Sequence, residues 1–428
     1  MNILLGLSSY QAISYLRRAS FYAFFYIYLR NILGLSNTFS ALLGTGNFFM
    51  STLGILFIWG PIINKNLHWT PKLVVLGECL AATTYLIAFS VHKIFLSNDE
   101  KFLAAMSLIA ILGILEFFWG MSDLSWRVIM AKGTKGSNRG RLTGFLESMG
   151  AIGQISGFIL AGFLFQNGQG FSSGLMFIIV SSLIFIGAFI VFLTIPTQFM
   201  KSSTLNEIPV TLITKESKFQ IFRENPIYFR YMISLSLAIL TIFSSRQIIL
   251  YYFEDQKGLN FSDTIISLSL VIFTMSGGIF SPVAGILSDY FGRKPVITGI
   301  LIIGSVSLIL LPIFNHILLI LVFYAFIGAI IGGLNSVGFS YAADLLPEDY
   351  QGLGFSFYHM VNAMSWGLAG FAIGGPIADF LIFQDFSFVE AYKNTIAFSG
   401  ILTLISAIIF ILLMKNAKNQ VKKSEISL

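Results

Sequence analysis

Charge is scarce in this chain: only 11% of its 428 residues are Asp, Glu, Lys or Arg, against about 25% in soluble domains. In their place stand 56% hydrophobic residues, with Phe alone occurring 44 times. No water-soluble fold of this length could hide that much apolar surface, whereas a bilayer dissolves it. A soluble enzyme or binding module is thereby excluded. An all-α polytopic membrane protein is expected, because helices satisfy their own backbone polar groups in hydrocarbon.

Cysteine occurs once, at Cys79, which excludes an internal disulfide. The four histidines show no metal-ligand spacing with it or with one another, and neither a Walker-type phosphate loop nor a nucleophile constellation is present. No cofactor, no metal and no enzymatic activity are expected. The formal charge of +6 is spread over short loops and forms no dense basic face, so nucleic acid is not an expected partner. The opening residues, MNILLGLSSYQ, lack a basic stretch and a small-residue cleavage site, so the first apolar segment reads as an uncleaved insertion signal.

What the chain does have is apolar runs. Windows of about 20 residues, enough to cross a hydrocarbon layer of about 30 Å, fall at 9–31, 38–60, 72–91, 102–130, 142–165 and 172–196, then at 229–253, 263–287, 295–315, 317–343, 354–382 and 391–414. Twelve transmembrane helices are therefore expected. Placing the N-terminus in the cytoplasm puts twenty of the 26 Lys and Arg residues on the cytoplasmic side and six opposite, which satisfies the positive-inside rule with both termini inside. The location expected is the cell (plasma or inner) membrane. The longest polar interval, Pro196–Pro226, divides the runs into two groups of six. The organisation reads as a six-helix bundle at 1–196, a cytoplasmic linker at 197–228, a second bundle at 229–414 and a basic cytoplasmic tail at 415–428.

The two halves carry traces of each other. LGLSNTFSALL after the first span resembles KGLNFSDTIIS after the seventh, with Gly34 opposite Gly258. GPIIN at Gly60–Asn64 falls opposite GILSD at Gly285–Asp289, and RGRLTGFLESMG lies on QGLGFSFYHMVN, placing Glu147 opposite His359. The constant order and nearly constant offset point to duplication of a six-helix unit. Such repeats commonly enclose a site near the midplane and rock around it.

The loop GILSDYFGRKP, Gly285–Pro295, resembles the signature loop of the major facilitator superfamily: glycine, leucine, aspartate, then glycine followed by two basic residues. The resemblance implies two pseudo-symmetric six-helix bundles and secondary transport by alternating access. In physical terms Gly285 allows close helix approach, Asp289 accepts from a helix N-terminus or a basic group, Gly292 permits a tight turn, and Arg293 and Lys294 hold the loop inside. The corresponding first-half loop departs from the pattern, with Asn64 in place of the aspartate. Asp123 and Arg127, four apart at the end of span four, form an expected i,i+4 pair, with Glu147 as a further partner of Arg127 in a gate network. AGFAIGGPIAD, Ala369–Asp379, resembles the glycine–proline motif of antiporters, which belongs in span five. Span five reads GAIGQISGFILAG, without the proline.

Ionisable groups inside a span are expensive and default to functional candidates. Glu116, near the middle of span four, is the candidate proton-coupling carboxylate. Asn47, Gln154, His359 and Asn362 are polar groups on spans able to line a cavity, and Tyr22, Tyr26, Trp119 and Trp366 are candidate walls. Arg17 and Arg18 interrupt the first span. The stretch YLRRASFYAFFYIYL resembles the first helix of proton-coupled oligopeptide transporters, with Arg18 at the motif arginine and Phe21–Tyr22 at the aromatic pair, while Ser14 and Arg17 stand at the glutamate positions. Neighbouring helix positions differ by about 100°, so the two arginines cannot face one ligand. The expectation is that Arg18 faces the cavity with Glu116 as its counter-charge, while Arg17 snorkels or pairs with a neighbouring helix.

Three transport directions stay open at this point: uptake of a small organic or anionic solute with proton coupling, peptide uptake, and efflux of amphipathic compounds by proton antiport. The competing class is a non-transporting sensor or scaffold. The expected partners are a small-molecule substrate, protons and the bilayer, and a monomer suffices because one chain holds both halves.

Overall fold

The computed structural model describes residues 3–133, 139–195, 223–346 and 351–414. Most of the expected linker, up to residue 222, and the expected basic tail lie outside those residues. The described chain is helical throughout, with no strand in it. The first six long helices are α1 (Ile3–Ile27), α2 (Asn37–Ile63), α3 (Leu67–Ser97), α4 (Lys101–Gly133), α5 (Arg139–Phe165) and α6 (Leu175–Thr194). The next six are α7 (Pro226–Glu254), α8 (Asp263–Phe291), α9 (Arg293–Ile313), α10 (Ile317–Asp344), α11 (Phe357–Phe383) and α12 (Phe388–Leu413).

Among the described residues eleven helices are long and apolar enough to cross a membrane. The remaining one, α1, has the length, but Arg17, Arg18 and Gln11 dilute its apolar face. Helix starts follow local chemistry. Ser36 caps α2 by accepting from the Phe39 N–H at 3.2 Å, Pro226 occupies the first turn of α7, and Ser387 and Glu390 form a reciprocal capping box at α12.

Two compact units result. The first holds α1–α6 together with Phe253–Gln256 and Asn260–Val271; the second holds α7 up to Tyr252, Lys257–Leu259 and everything from Ile272 onward. In the first, α1 packs on α5 and α6, α3 on α4 and α6, and α2 on α4. In the second, α7 packs on α11 and α12, and α9 on α10 and α12. The pairing order of the first six helices thus recurs in the second six, as duplication of one unit requires. Large apolar side chains such as Phe57, Phe163 and Phe192 stand exposed on the helix exteriors, where hydrocarbon takes the place of a core.

Glycine sets the tightest of these approaches. A Cβ on Gly153 of α5 would come within 2.0 Å of the Ala12 carbonyl oxygen on α1. Its counterpart in the second unit is Gly374 of α11, where a Cβ would fall 1.8 Å from the Ser244 carbonyl oxygen of α7. Both contacts bring backbone against backbone, the means by which membrane helices gain van der Waals contact without a hydrophobic driving force. The glycine-rich segment of α11 therefore serves α7–α11 packing, and its π-helical turn at Gly370–Gly374 precedes Pro376. Gly285 differs from expectation. A Cβ there would meet Ser336 Oγ at 3.6 Å, an ordinary contact that demands no glycine.

Replacing Gly374 by Ala is expected to destabilise the purified protein by about 1–3 kcal/mol, the usual penalty for overpacking. Gly278→Ala on α8, where a Cβ meets nothing within 4 Å, is expected to leave stability unchanged. Thermal unfolding in detergent, compared between the two variants, checks both.

Candidate functional site

The adjacent arginines of α1 end up in different environments. Arg17 is 1% exposed and pairs with Glu78 of α3, equally buried, with Nη1 2.9 Å from Oε2. That contact is electrostatic and off hydrogen-bond alignment, but Nη2 donates to Glu78 Oε1 at 3.0 Å and to Ser14 Oγ at 3.2 Å. Glu78 Oε1 also accepts from Tyr10 Oη and from Ser122 Oγ, each at 2.6 Å. Three helices, α1, α3 and α4, are pinned by this one carboxylate. Of the two fates expected for Arg17, pairing with a neighbouring helix is the one realised. From the sequence Glu78 is a weaker functional candidate, because third spans in this fold usually sit outside the cavity, and here it is sealed against Arg17.

Arg18 is more open. Its Nη2 lies 3.1 Å from Asp123 Oδ1 of α4, with the two side chains 36% and 35% exposed. The expected counter-charge, Glu116, is instead held by Tyr22 Oη, which donates to Oε1 at 3.2 Å and itself accepts from Asn47 Nδ2 of α2 at 3.2 Å. The reason is register. Glu116, Trp119 and Asp123 share one face of α4, and Arg18 and Tyr22 share one face of α1. With the helices side by side, Arg18 meets Asp123 at one level and Tyr22 meets Glu116 at the next. The indole of Trp119 lies between these levels, with the guanidinium carbons of Arg17 and Arg18 4.2 and 4.8 Å from its ring centroid. Tyr26 continues the α1 face one turn on and is half-buried.

The expected gate network near the end of α4 is correspondingly altered. Asp123 gives its ion pair to Arg18, and among the described residues neither Asp123 nor Glu147 is ion-paired with Arg127, which is exposed. Glu147 instead accepts from Tyr15 Oη at 3.5 Å. Gln154 sits half-buried on α5.

In the second unit His359 is exposed and touches the rings of Phe339 and Tyr358. Asn362 and Trp366 follow on α11, both half-buried. Trp366 packs on Phe243 with ring centroids 3.6 Å apart and lies under the Arg246 guanidinium, whose carbon is 5.2 Å from the indole centroid. The α8–α9 loop takes the form its sequence implies. Gly292 adopts φ +89°, a conformation costly for other residues. Arg293 binds Asp289, donates to Ser288 Oγ at 2.6 Å and reaches Asp344 Oδ2 on α10 at 3.2 Å. Asp344 is the member of this cluster that the loop sequence alone does not reveal. Lys294 follows Arg293 in the first turn of α9.

Comparison with known proteins adds the following. The sequence pattern of the Major Facilitator Superfamily matches residues 7–262 and, overlapping them, 235–427. The chain is 26% identical over 217 residues to the inner membrane transport protein YnfM of Escherichia coli (strain K12), an alignment covering 49% of each chain. It thus spans about half the length of that curated relative. Among solved structures the nucleoside transporter NupG superposes with a TM-score of 0.74 at 15% identity, over 97% of this chain and 100% of that one. A bacterial homolog of the human lysosomal transporter Spinster, inward-facing and unoccupied, gives 0.71 at 12% identity, over 96% of each chain. The peptide transporter POT in complex with alafosfalin gives 0.65 at 15% identity, over 96% of this chain and 94% of that one. At these identities the likeness is one of fold.

The two ion pairs of α1 should respond differently to mutation. Arg17→Gln or Glu78→Gln alone is expected to cost about 3–5 kcal/mol by leaving a buried charge uncompensated, and the double change Arg17→Met with Glu78→Leu should recover most of it. Arg18→Gln, whose pair is more than a third exposed, is expected to cost at most about 1 kcal/mol. Thermal unfolding of the four variants is the check.

Proposed function

The chain belongs to the major facilitator superfamily, and on that premise we propose that it is a proton-coupled secondary active transporter moving a small solute by alternating access. The observation that carries the reading is the row Arg18–Asp123 and Glu116–Tyr22–Asn47 inside the first unit, half-buried except at Asn47, which is buried. A guanidinium on a side chain 36% exposed can exchange a protein carboxylate for a solute anion, or release one, without exposing a bare charge to hydrocarbon. Glu116 differs from Glu78 and Asp123 in kind. It accepts a hydrogen bond from a neutral hydroxyl, that of Tyr22, so taking up or giving up a proton breaks no ion pair of its own.

In this reading Glu116 is the proton carrier. Arg18, Tyr22, Tyr26, Asn47, Trp119, Gln154, His359, Asn362 and Trp366 are substrate-side residues, and Asp123 couples the two by holding Arg18 when no solute is bound. Asp289, Gly292, Arg293 and Lys294, with Asp344, act in gating; Gly285, Arg127 and Glu147 belong to the same cytoplasmic side. The protein works as a monomer in the plasma or inner membrane with both termini in the cytoplasm.

Counterflow and accumulation of a radiolabelled solute panel in proteoliposomes, with and without a pH gradient, test the reading. Glu116→Gln is expected to abolish accumulation driven by the pH gradient while counterflow of the same solute persists. Gradient-driven accumulation at the wild-type rate in Glu116→Gln would remove Glu116 from coupling. A chain that moves no solute in either assay would refute transport itself.

A further inference from the structure

Arg246 of α7 has no counterpart to the carboxylates that neutralise Arg17 and Arg18: among the described residues no Asp or Glu lies within ion-pair distance of it. Its surroundings make this unusual. From Thr241 to Phe253 every residue is buried except Arg246. It lies eight residues before the end of α7, about 12 Å along the axis at 1.5 Å per residue, within the apolar part of the span. A charge there is costly unless something pairs with it.

The helix itself gives no reason for the arginine. The segment Pro226–Ser244 ends at Ser245, and Arg246 opens the segment Arg246–Glu254. A cation at a helix N-terminus opposes the helix dipole. The break is held firmly in place, because the Ser244 carbonyl is packed directly against Gly374.

Around the guanidinium is a small recess lined by Phe243, Ser245, Phe273, Tyr324, Ile327 and Ile331. Its walls are aromatic and branched aliphatic, and they contain no acidic side chain. The guanidinium lies over the indole of Trp366. Stacking occupies the flat face of a guanidinium and leaves the N–H groups in its plane free to bind a planar carboxylate in bidentate fashion.

We propose that Arg246, at the mouth of this recess, is an anion-binding subsite for the transported solute, and that the solute carries a carboxylate. The carboxylate sits edge-on to Arg246, and the body of the solute stays outside the recess, whose lining is almost wholly buried. The proposal rests on the transport reading for its purpose, but binding at the recess is measurable without transport.

The test uses the purified full-length protein in detergent. Acetate, isovalerate, cyclohexanecarboxylate and phenylacetate are titrated, each beside its neutral amide, with thermal shift and tryptophan fluorescence as readouts. At least one carboxylate is expected to bind about 10- to 100-fold more tightly than its amide, the range for losing hydrogen bonds to a charged group. Arg246→Gln is expected to erase that preference and Arg246→Lys to keep part of it, while Gly278→Ala, where a Cβ meets nothing within 4 Å, retains it. The subsite is overturned if no carboxylate in the panel outbinds its amide in the wild-type protein, a comparison that needs no variant to fold. It is overturned equally if Arg246→Gln keeps the preference. Reconstitution into phosphatidylglycerol vesicles supplies the other source of anions, and Arg246-dependent lipid binding that phenylacetate cannot displace would assign the recess to a headgroup instead. Carboxylate binding without transport in proteoliposomes would remove the transport reading and leave the subsite standing. Wild-type transport by Arg246→Gln would do the reverse.

Discussion

A guanidinium and a carboxylate can be carried into the interior of an apolar bundle only together, and Arg17 with Glu78 is the place where this protein does so completely. The pair is sealed, and Tyr10, Ser14 and Ser122 take up hydrogen-bonding capacity that would otherwise be unmet. Its net contribution to stability is not the point, since a buried ion pair often does no better than well-packed apolar residues. What it fixes is rotation and register. Once Arg17 points at α3, the helical increment of about 100° directs Arg18 elsewhere, towards the face of α4 that carries Glu116, Trp119 and Asp123. The accessible row is a geometric consequence of the sealed pair beside it.

Much of the fold was legible because membrane segments announce themselves by composition. The all-helical membrane class, the recurrence of helix pairing and the turn at Gly292 all follow from apolar runs, from matched segments such as GPIIN and GILSD, and from one loop motif. The site was legible in part. Arg18, Tyr22, Asn47, Glu116 and Trp119 do meet. The partners were misassigned where the answer depended on relative helix register, which no single sequence encodes: Arg18 binds Asp123, not Glu116, and Asp123 does not bind Arg127. A stricter reading of periodicity would have helped. Glu116, Trp119 and Asp123 stand at intervals of three and four, a one-face pattern on a helix, and Arg18, Tyr22 and Tyr26 repeat every four. Glu78, a weaker functional candidate from its place in the third span, is sealed against Arg17 as a structural counter-charge.

The signature loop shows the same limit from the other side. Its residues bind one another locally, Arg293 to Asp289 and Ser288, as a short sequence can foretell. Its long-range contact, Arg293 to Asp344 at the end of α10, depends on how α8, α9 and α10 pack. Gly285 illustrates the opposite error. The motif assigns it a close helix approach, but much tighter backbone approaches fall at Gly153 and Gly374, outside that loop.

The three arginines Arg17, Arg18 and Arg246 within spans form a graded series in their access and pairing. Arg17 has a carboxylate and no access. Arg18 has a carboxylate and partial access. Arg246 has access and an aromatic platform, but no carboxylate among the described residues. A protein that needed these cations only to hold helices together would neutralise all three in the way it neutralises the first, because an unpaired charge weakens a membrane bundle. In the proposed transport reading, holding one cation sealed, one loosely paired and one uncompensated leaves room at the open positions for a negative charge that enters with the solute. The same element, an aromatic ring, lies against all three guanidiniums: Trp119 against Arg17 and Arg18, and Trp366 against Arg246. It supplies enough stabilisation to keep the charge in place and too little to compete with an arriving anion.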